Sequence, residues 1–493
     1  ERTDDPVLRL WKHASISGAV LDEAGEELIG VRVQAYRRSV IAGRRRYVAS
    51  GAVLTDDRGI YRVGGLIPGD YIVGAVSRHV NLSVSAASEL GGGAAAARAA
   101  GVLGVHPQAG SEVLHVGESG YVLGNGTPTP PPLENGRMQV YPAMFHPGAP
   151  AGDAATVIPL RAGQEHLGAD LRLAPTATAR VSGRVIGPDG PVGATVLRLV
   201  AANTAEVALE NDSMATLTDR NGAFTFPAVP SGHYTLRLLR GVSPAGSPRP
   251  NADLNIVLWT DVPVSVGVED ITGLSVEALP GVRVGGRIEL DGSGAALPPA
   301  LNTIMVAIEP VDAAPGTSAA GTTARTDVAG EFRSPPLAGG RYYVRVPNSP
   351  VGWMFTSATA DGRDVTDMPL TIAADNLNVV VRFTDRWSGV HGFVQNRQGR
   401  DVGAMVIAFP ADTEAWGSSG ANPRRVRATR PGKSGEYSFN MPPGDYYVLA
   451  VPDTQAADWQ DPVFMDAASR IAVRVSIAEG KRKVQDLRTT EMR

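Results

Sequence analysis

Four copies of one pair of sequence blocks fill most of this chain, and this repetition limits the folds open to it more than any other feature. The first block is an apolar stretch around a glycine, then a turn and an alternating stretch, as in SISGAV (15–20) with VRVQAY (31–36). The second block is a polar turn ending in glycine, an aromatic residue two positions later and another glycine before a tyrosine, as in TDDRGIYRVGGLIPGDYIV (55–73). Such internal repetition predicts tandem copies of one small structural unit rather than one large core.

Each residue type in the second block has a defined structural use. Asp-x-x-Gly closes a tight turn in which glycine takes a positive φ angle. The aromatic residue begins a strand of alternating side chains, the tyrosine begins the next strand, and we expect both to point into a core. The repeated residues are the turn glycines Gly59, Gly222, Gly330 and Gly435, the aromatics Tyr61, Phe224, Phe332 and Tyr437, and the tyrosines Tyr71, Tyr234, Tyr342 and Tyr446.

The glycines of the first block set the phase of the repeat and divide the chain into units. Units of about 100 residues with alternating strands and frequent turn signals are typical of β-sandwiches. We therefore predict an all-β protein of four tandem antiparallel sandwiches, Ig-like or transthyretin-like, that form an elongated rod. One helix is predicted at 462–469, with Asp461 as its N-cap and Pro462 at its first position. The phasing glycines are Gly18, Gly183, Gly286 and Gly392, and the units are 1–175, 176–281, 282–386 and 387–493.

The repeated motifs resemble those of the carboxypeptidase regulatory-like domain, a transthyretin-like sandwich with a G-x-V strand, a T-D-x-x-G-x-Y/F turn and a G-x-Y strand. All four units show this arrangement, which is similar to that of large exported acidobacterial proteins built from tandem copies. The stretches YPAMFHPG (141–148) and DWQDPVFMDAASR (458–470) fit that group. The resemblance implies the fold. Domains of this kind accompany metallocarboxypeptidases, outer-membrane transporters, adhesins and sugar-binding proteins, so function must be argued from a site.

The composition argues against several classes of protein. Lys plus Arg is 46 and Asp plus Glu is 50, and the resulting net charge of -4 argues against a nucleic-acid binder. No apolar run of about 18 residues is present that would span a bilayer as a helix. The lack of cysteine excludes disulfides, thiolate metal sites and cysteine nucleophiles. Because the sequence begins at Glu1 without an initiator methionine, we expect an exported periplasmic, cell-surface or extracellular protein whose signal peptide has been removed; a shortened chain would look the same.

Motifs for catalysis are scarce, and we predict neither an enzyme nor a cofactor or metal site. One H-x-x-E motif, His115 to Glu118, would place two zinc ligands on one face of a helix. However, Gly117 and Gly120 make a helix poor there, so a turn is favoured. No phosphate-binding glycine loop or serine nucleophile motif is present.

Two further sets of residues are candidates for ligand binding. Trp416 lies in the polar stretch DTEAWGSSGAN and is the best candidate for an exposed aromatic platform that binds a sugar. Two arginine runs occupy the same connection of the repeat, and a solvated hairpin is favoured over a polyanion site. The runs are Arg44, Arg45 and Arg46 in the first unit and Arg424, Arg425 and Arg427 in the fourth.

An insertion at about 80–140 interrupts the first unit. It contains GGGAAAARAAG (91–101) and TPTPPP (127–132), and the proline run favours an extended polyproline II strip. Packing on its own sandwich and docking on a partner are equally good interpretations. The candidate docking residues are Ala94, Arg98, Val102, Pro130, Pro131 and Pro132.

These observations favour a non-catalytic exported multidomain protein. We expect a structural or accessory protein-binding subunit of an envelope or extracellular assembly, with a protein partner or a second copy of itself as its ligand. The alternative is a carbohydrate-binding surface protein with a polysaccharide ligand. An accessory part of a metallopeptidase system is a more remote alternative.

Overall fold

A computed structural model describes residues 12–75, 81–83, 113–116, 119–123, 130–202, 214–242, 255–293, 300–311, 321–417, 420 and 422–492. The chain forms two compact units. Unit 1 comprises Glu1–Arg38, Arg46–Arg240 and Leu258–Pro280, and unit 2 comprises Ser39–Arg45, Gly241–Val257 and Gly281–Arg493. The finer boundaries predicted near 175, 281 and 386 stay predictions.

The first sandwich consists of two sheets around one core. One sheet has the order β12-β1-β13 with β4 beside β1, and the other has the order β10-β5-β2-β3 with β11 beside β5. A separate small sheet has the order β6-β8-β7. The strands are β1 (Ala14–Leu21), β2 (Arg32–Ile41), β3 (Arg44–Leu54), β4 (Ile60–Leu66), β5 (Gly69–Ala75), β6 (Asn81–Ser83), β7 (Val113–Val116), β8 (Ser119–Leu123), β9 (Gln139–Val140), β10 (Met144–Phe145), β11 (Ile158–Leu160), β12 (Glu165–His166) and β13 (Leu171–Arg172).

The second sandwich repeats this plan. Its sheets have the orders β15-β14-β18, with β21 and β9 beside β14, and β17-β16-β19-β20-β22. The strands are β14 (Thr176–Gly187), β15 (Gly190–Pro191), β16 (Val196–Ala201), β17 (Met214–Leu217), β18 (Ala223–Pro230), β19 (Gly232–Val242), β20 (Asn255–Val266), β21 (Ile271–Glu277) and β22 (Leu279–Pro280).

The third sandwich has the sheets β26-β23-β31-β28-β29 and β25-β24-β27-β30. The last strand of this sandwich, β31, lies between β23 and β28. The hairpin of β28 and β29 therefore extends this sheet beyond the corresponding sheets of the other sandwiches. The strands are β23 (Val284–Asp291), β24 (Met305–Pro310), β25 (Thr322–Arg325), β26 (Glu331–Arg333), β27 (Gly340–Arg345), β28 (Met354–Ala360), β29 (Arg363–Asp364), β30 (Leu370–Ile372) and β31 (Asn376–Thr384).

The fourth sandwich has the sheets β33-β32-β36, with β39 and β40 beside β32, and β35-β34-β37-β38. Helix α1 (Pro462–Ser469) begins at the predicted residue, and the Asp461 carboxylate accepts a hydrogen bond from the Val463 amide, as predicted. The strands are β32 (Gly389–Asn396), β33 (Gly399–Arg400), β34 (Ala404–Pro410), β35 (Arg427–Thr429), β36 (Glu436–Asn440), β37 (Gly444–Pro452), β38 (Val473–Ile477), β39 (Arg482–Val484) and β40 (Leu487–Arg488). Short 3-10 turns occur at Gly152–Ala154, Leu301–Thr303, Thr413–Ala415 and Asp453–Gln455.

The prediction of tandem all-β sandwiches is confirmed; beside the antiparallel pairs, each sandwich also contains parallel pairing that the sequence did not predict. In every sandwich the first strand pairs in parallel with the closing strands: β1 with β12 and β13, β14 with β21, β23 with β31, and β32 with β39 and β40. The closing strands lie near the C-terminal end of each sandwich, and all the strands between them and the first strand form the connection. A connection of that length permits a parallel neighbour, which a tight hairpin cannot.

The phasing glycines permit this parallel contact. A Cβ atom at each position would collide with a backbone carbonyl of the closing segment, so only glycine allows the two backbones to approach. The colliding pairs are Gly18 with Ala169, Gly183 with Leu274, Gly286 with Val379 and Gly392 with Gln485.

The repeated turn and aromatic residues lie where the pattern predicts. The turn glycines all have positive φ angles, from 65° at Gly59 to 82° at Gly330. The four aromatics that follow them are buried, one in each sandwich core.

The four tyrosines are also buried, and each forms the same hydrogen bond. The hydroxyl donates to the carbonyl oxygen four residues earlier in the chain, which fixes the corner before the strand. This arrangement resembles the tyrosine corner of Ig-like sandwiches. The bonds are Tyr71 to Ile67 at 2.6 Å, Tyr234 to Pro230 at 2.9 Å, Tyr342 to Ala338 at 2.6 Å and Tyr446 to Pro442 at 2.9 Å.

Candidate functional site

Trp416 is buried, so the expectation that it forms an exposed sugar platform is wrong. Only 6% of its surface is exposed, and its indole nitrogen donates to the Pro410 carbonyl at 2.8 Å. The ring lies edge-on to Phe409, with centroids 5.6 Å apart. The 3-10 turn Thr413–Ala415, capped by Asp412, folds the polar stretch back and directs Trp416 into a second core of the fourth sandwich, which also contains Met465 of α1.

The H-x-x-E motif does not form a helical face. His115 lies in strand β7, paired with Gly120 of β8, and Glu118 lies outside the described residues. Within the part of the chain that the structure describes, no group of three His, Cys, Asp or Glu residues could hold a metal ion. None of the helices found there is long and apolar enough to cross a bilayer.

The described ends of the insertion contact the second sandwich. Asn81 is buried, and the Thr216 hydroxyl of β17 donates to its side-chain oxygen at 2.7 Å. At the other end, β9 pairs with β14. Among the candidate docking residues Pro130 is buried, Pro131 and Pro132 are exposed, and Ala94, Arg98 and Val102 lie outside the described residues. Partner docking by the insertion therefore stays a prediction.

The arginine runs are not simply solvated hairpins, which corrects the favoured interpretation. In unit 2, Arg45 Nε donates to Asp461 Oδ2, the cap of α1, at 2.6 Å. Arg46 is buried in unit 1, whereas Arg44 and Arg427 are exposed as expected. Arg424, Arg425 and Asp367 form a cluster of charged side chains in unit 2, which we call the Arg-Asp junction.

The Arg-Asp junction joins the third and fourth sandwiches. Asp367 lies between β29 and β30 of the third, and both arginines lie just before β35 of the fourth. Arg424 Nη2 and Arg425 Nε approach Asp367 Oδ2 at 3.2 and 2.8 Å. Two guanidinium groups of the fourth sandwich therefore share one carboxylate of the third.

Further contacts of Arg424 hold it against the third sandwich. Its Nη1 donates to the Thr356 carbonyl at 2.5 Å, and its guanidinium lies over the Phe355 ring at 5.2 Å. Only 10% of the side chain is exposed. Charge-assisted hydrogen bonds and cation-π contact of a desolvated arginine are among the stronger polar interactions in proteins.

Arg425 connects the junction to the repeated corner of the fourth sandwich. Its Nη1 donates to the Pro443 carbonyl at 3.3 Å and to the Tyr446 hydroxyl at 3.2 Å. The tyrosine that fixes the strand corner thus also orients the arginine that reaches the neighbouring sandwich.

Electrostatics favour the ion pairs. Burial opposes ionisation of Asp367, but the charges and hydrogen bonds of Arg424 and Arg425 outweigh it and hold the pKa of that carboxyl below its ordinary value of 3.8. Arg345, buried beside Tyr343, has a lowered pKa because desolvation outweighs the attraction of Asp367 and Glu309.

A cavity of about 470 Å³ lies beside the junction. Its wall contains two arginines and two aspartates, so its formal charge balances. In this wall the Thr366 hydroxyl donates to Asp364 Oδ1 at 2.5 Å, while Arg424, Arg425 and Asp367 hold the two sandwiches together. The lining residues are Met354, Phe355, Thr356, Ser357, Asp364, Thr366, Asp367, Met368, Arg424, Arg425, Pro442 and Pro443.

Asp367→Asn should destabilise unit 2 in a pH-dependent way. At pH 7 we expect a loss of about 2–3 kcal/mol in unfolding free energy, because Arg424 keeps its buried position without a charged partner while the 38% exposure of Asp367 limits the cost. Because the folded pKa is lowered, the ion pairs stabilise the fold above the ordinary pKa, and this contribution is lost as pH falls through the folded value. Denaturant unfolding at several pH values measures this loss of unfolding free energy.

The control is Asp466→Asn, which removes the exposed pair with Arg470 on α1. We expect it to cost only about 0.3–0.5 kcal/mol. Equal effects of the two variants, or a deficit of Asp367→Asn that does not shrink as the pH falls below the ordinary carboxyl pKa of 3.8, would contradict the assigned role of the junction.

The structure defines a protein of tandem β-sandwiches. Comparison with known proteins finds distant similarities to solved structures. No protein-family profile matches the chain, and no curated protein matches it. Among solved structures, the Bacillus anthracis TIE protein is 11% identical with a TM-score of 0.17, over 96% of this chain and 72% of that one. A streptococcal ancillary pilin is 14% identical with a TM-score of 0.22, over 76% and 99% of the two chains.

The minor pilin GBS52 of Streptococcus agalactiae is 13% identical with a TM-score of 0.25, over 42% of this chain and 96% of that one. Likenesses at these identities and TM-scores say nothing about the function of this chain.

Proposed function

We propose that this protein is a non-catalytic, exported structural or accessory subunit that binds other proteins in an envelope or extracellular assembly. The observation that carries the proposal is the Arg-Asp junction. This cluster of charged side chains in unit 2 holds one sandwich to its neighbour, as a load-transmitting or spacing protein requires.

The proposal includes membership of the carboxypeptidase regulatory-like, transthyretin-like group that the repeat motifs resemble. Tandem units that contact their neighbours through built interfaces create long surfaces suited to protein recognition. The carbohydrate alternative loses its best residue, because Trp416 is buried. In the part of the chain that the structure describes, no observation favours the peptidase-accessory alternative.

A binding experiment with the whole chain tests the proposal. The purified protein is immobilised and exposed to the surface and extracellular fraction of its source cells, with parallel columns of the cell-wall polysaccharides from the same cells. We expect saturable, stoichiometric retention of a protein, or of a second copy of this chain, that protease treatment of the fraction abolishes. Retention that survives protease and is displaced by free polysaccharide would overturn the proposal in favour of the carbohydrate alternative.

A further inference from the structure

A groove of about 560 Å³ opens on the third sandwich, between the edges of its two sheets. Thr323, Ala324 and Arg325 of β25 form one wall, and Arg333 and Ser334 form the other. β25 and β26 are both edge strands, each paired on one side only among the described strands. An edge strand offers unpaired backbone N–H and C=O groups to an added strand.

The third repeat has a small side chain, Ser334, in the lining of this groove. Ser334 stands two residues after the repeated aromatic, where the second and fourth sandwiches have Phe226 and Phe439. Both phenylalanines are buried in the cores of their sandwiches. The Ser334 hydroxyl instead accepts a hydrogen bond from the Val284 amide at 3.0 Å, which satisfies it without filling the volume.

The groove is positively charged. Its lining includes three arginines, Arg283, Arg325 and Arg333, and no acidic residue. Arg333 has only a long contact of 3.4 Å to Asp375, and Arg325 is exposed without a partner among the described residues.

In the fourth repeat, the arginine at the position of Arg325 is neutralised by an ion pair. Arg430 holds the place before the turn glycine that Arg325 holds in the third repeat. Arg430, however, pairs with Asp453 at 2.9 Å. Within the described ranges, Arg325 therefore carries a charge that no acidic side chain neutralises.

The second sandwich shows that an extended segment fits this edge. There the strand β6 of the insertion lies against β17, and Asn81 of β6 accepts a hydrogen bond from Thr216. Thr216 is the counterpart of Ala324, since each lies two residues before the repeated threonine, Thr218 or Thr326. The edge that an extended segment covers in unit 1 is thus the edge that bears the arginine-lined groove in unit 2.

We propose that this groove binds an extended acidic segment of a protein partner. Backbone pairing with an edge strand would supply affinity, and the three guanidinium groups would select alternating carboxylates. The inference rests on the proposed protein-binding function and names the chemistry of one partner surface.

Fluorescence anisotropy with the full chain tests the groove. The probe is a labelled peptide of alternating Glu and Thr, compared with one of alternating Lys and Thr and with a Glu–Thr peptide N-methylated at alternate residues. We expect binding of the first peptide only, weakened at least tenfold by Arg325→Glu and by rising salt. Arg430→Glu, at the equivalent place in the fourth repeat, should leave the affinity unchanged.

Three results would overturn the proposal. They are equal binding of the Glu–Thr peptide by both arginine variants, equal binding of the N-methylated peptide, and tighter Arg325-dependent binding of an anionic polysaccharide such as alginate. The second and third would identify a general polyanion site. Because Arg325 is exposed, a thermal melt shows whether Arg325→Glu is folded, and Arg333→Gln provides a milder second variant. Failure of these tests would leave retention of a native protein partner intact, so the two proposals can fail separately.

Discussion

Tyr446→Ala is expected to lower the unfolding free energy of unit 2 by about 3–5 kcal/mol. The side chain is fully buried in the core of the fourth sandwich, so its loss removes an aromatic ring and leaves a cavity. The substitution also removes the donor to the Pro442 carbonyl and an acceptor for Arg425. Denaturant unfolding followed by tryptophan fluorescence measures the loss.

The matched control is Tyr446→Phe, which keeps the ring and removes only the hydroxyl. It should cost about 1–2 kcal/mol, because the ring still fills the core while the Pro442 carbonyl loses its donor. If the alanine variant unfolds like the wild type, Tyr446 does not hold the corner and the assigned repeat phasing is incorrect.

Trp416→Ala should also cost about 3–5 kcal/mol in unfolding free energy. The indole packs edge-on against Phe409 and donates to the Pro410 carbonyl, so both a large apolar contact and a buried hydrogen bond are lost. The same denaturant titration detects this loss of unfolding free energy.

Trp416→Ala should have no effect on polysaccharide retention below its melting temperature, since a buried ring cannot stack on a sugar. Trp387→Ala serves as the comparison: this half-buried indole donates to the Gly352 carbonyl and should cost less. Unchanged stability together with lost retention on a polysaccharide column would restore Trp416 as a binding platform.

Features encoded in short sequence patterns were predictable. The turn glycines, the aromatics after them and the corner tyrosines each depend on neighbours within a few residues, so the repeat specifies them locally. Helix α1 was predictable for the same reason, because Asp461 and Pro462 mark its start in the sequence.

Features that depend on tertiary contacts were not predictable. The parallel closing strands follow from a crossover whose direction no local pattern records. Trp416 looked exposed because its neighbours are polar, yet a capped turn directs it inward. Asp367 carries no distinguishing motif, and only folding brings it to Arg424 and Arg425. The groove had one readable signal, Ser334 in place of a core phenylalanine, which becomes informative only when the repeats are aligned.

Isolation of the untagged protein from its own source under native conditions tests the central claim most directly. Mass measurement of the intact complex, before and after chemical crosslinking, then identifies what is bound. We predict a defined stoichiometric assembly in which this chain is crosslinked to another protein or to further copies of itself. A lone chain that carries bound polysaccharide and yields no crosslinked protein would contradict the account.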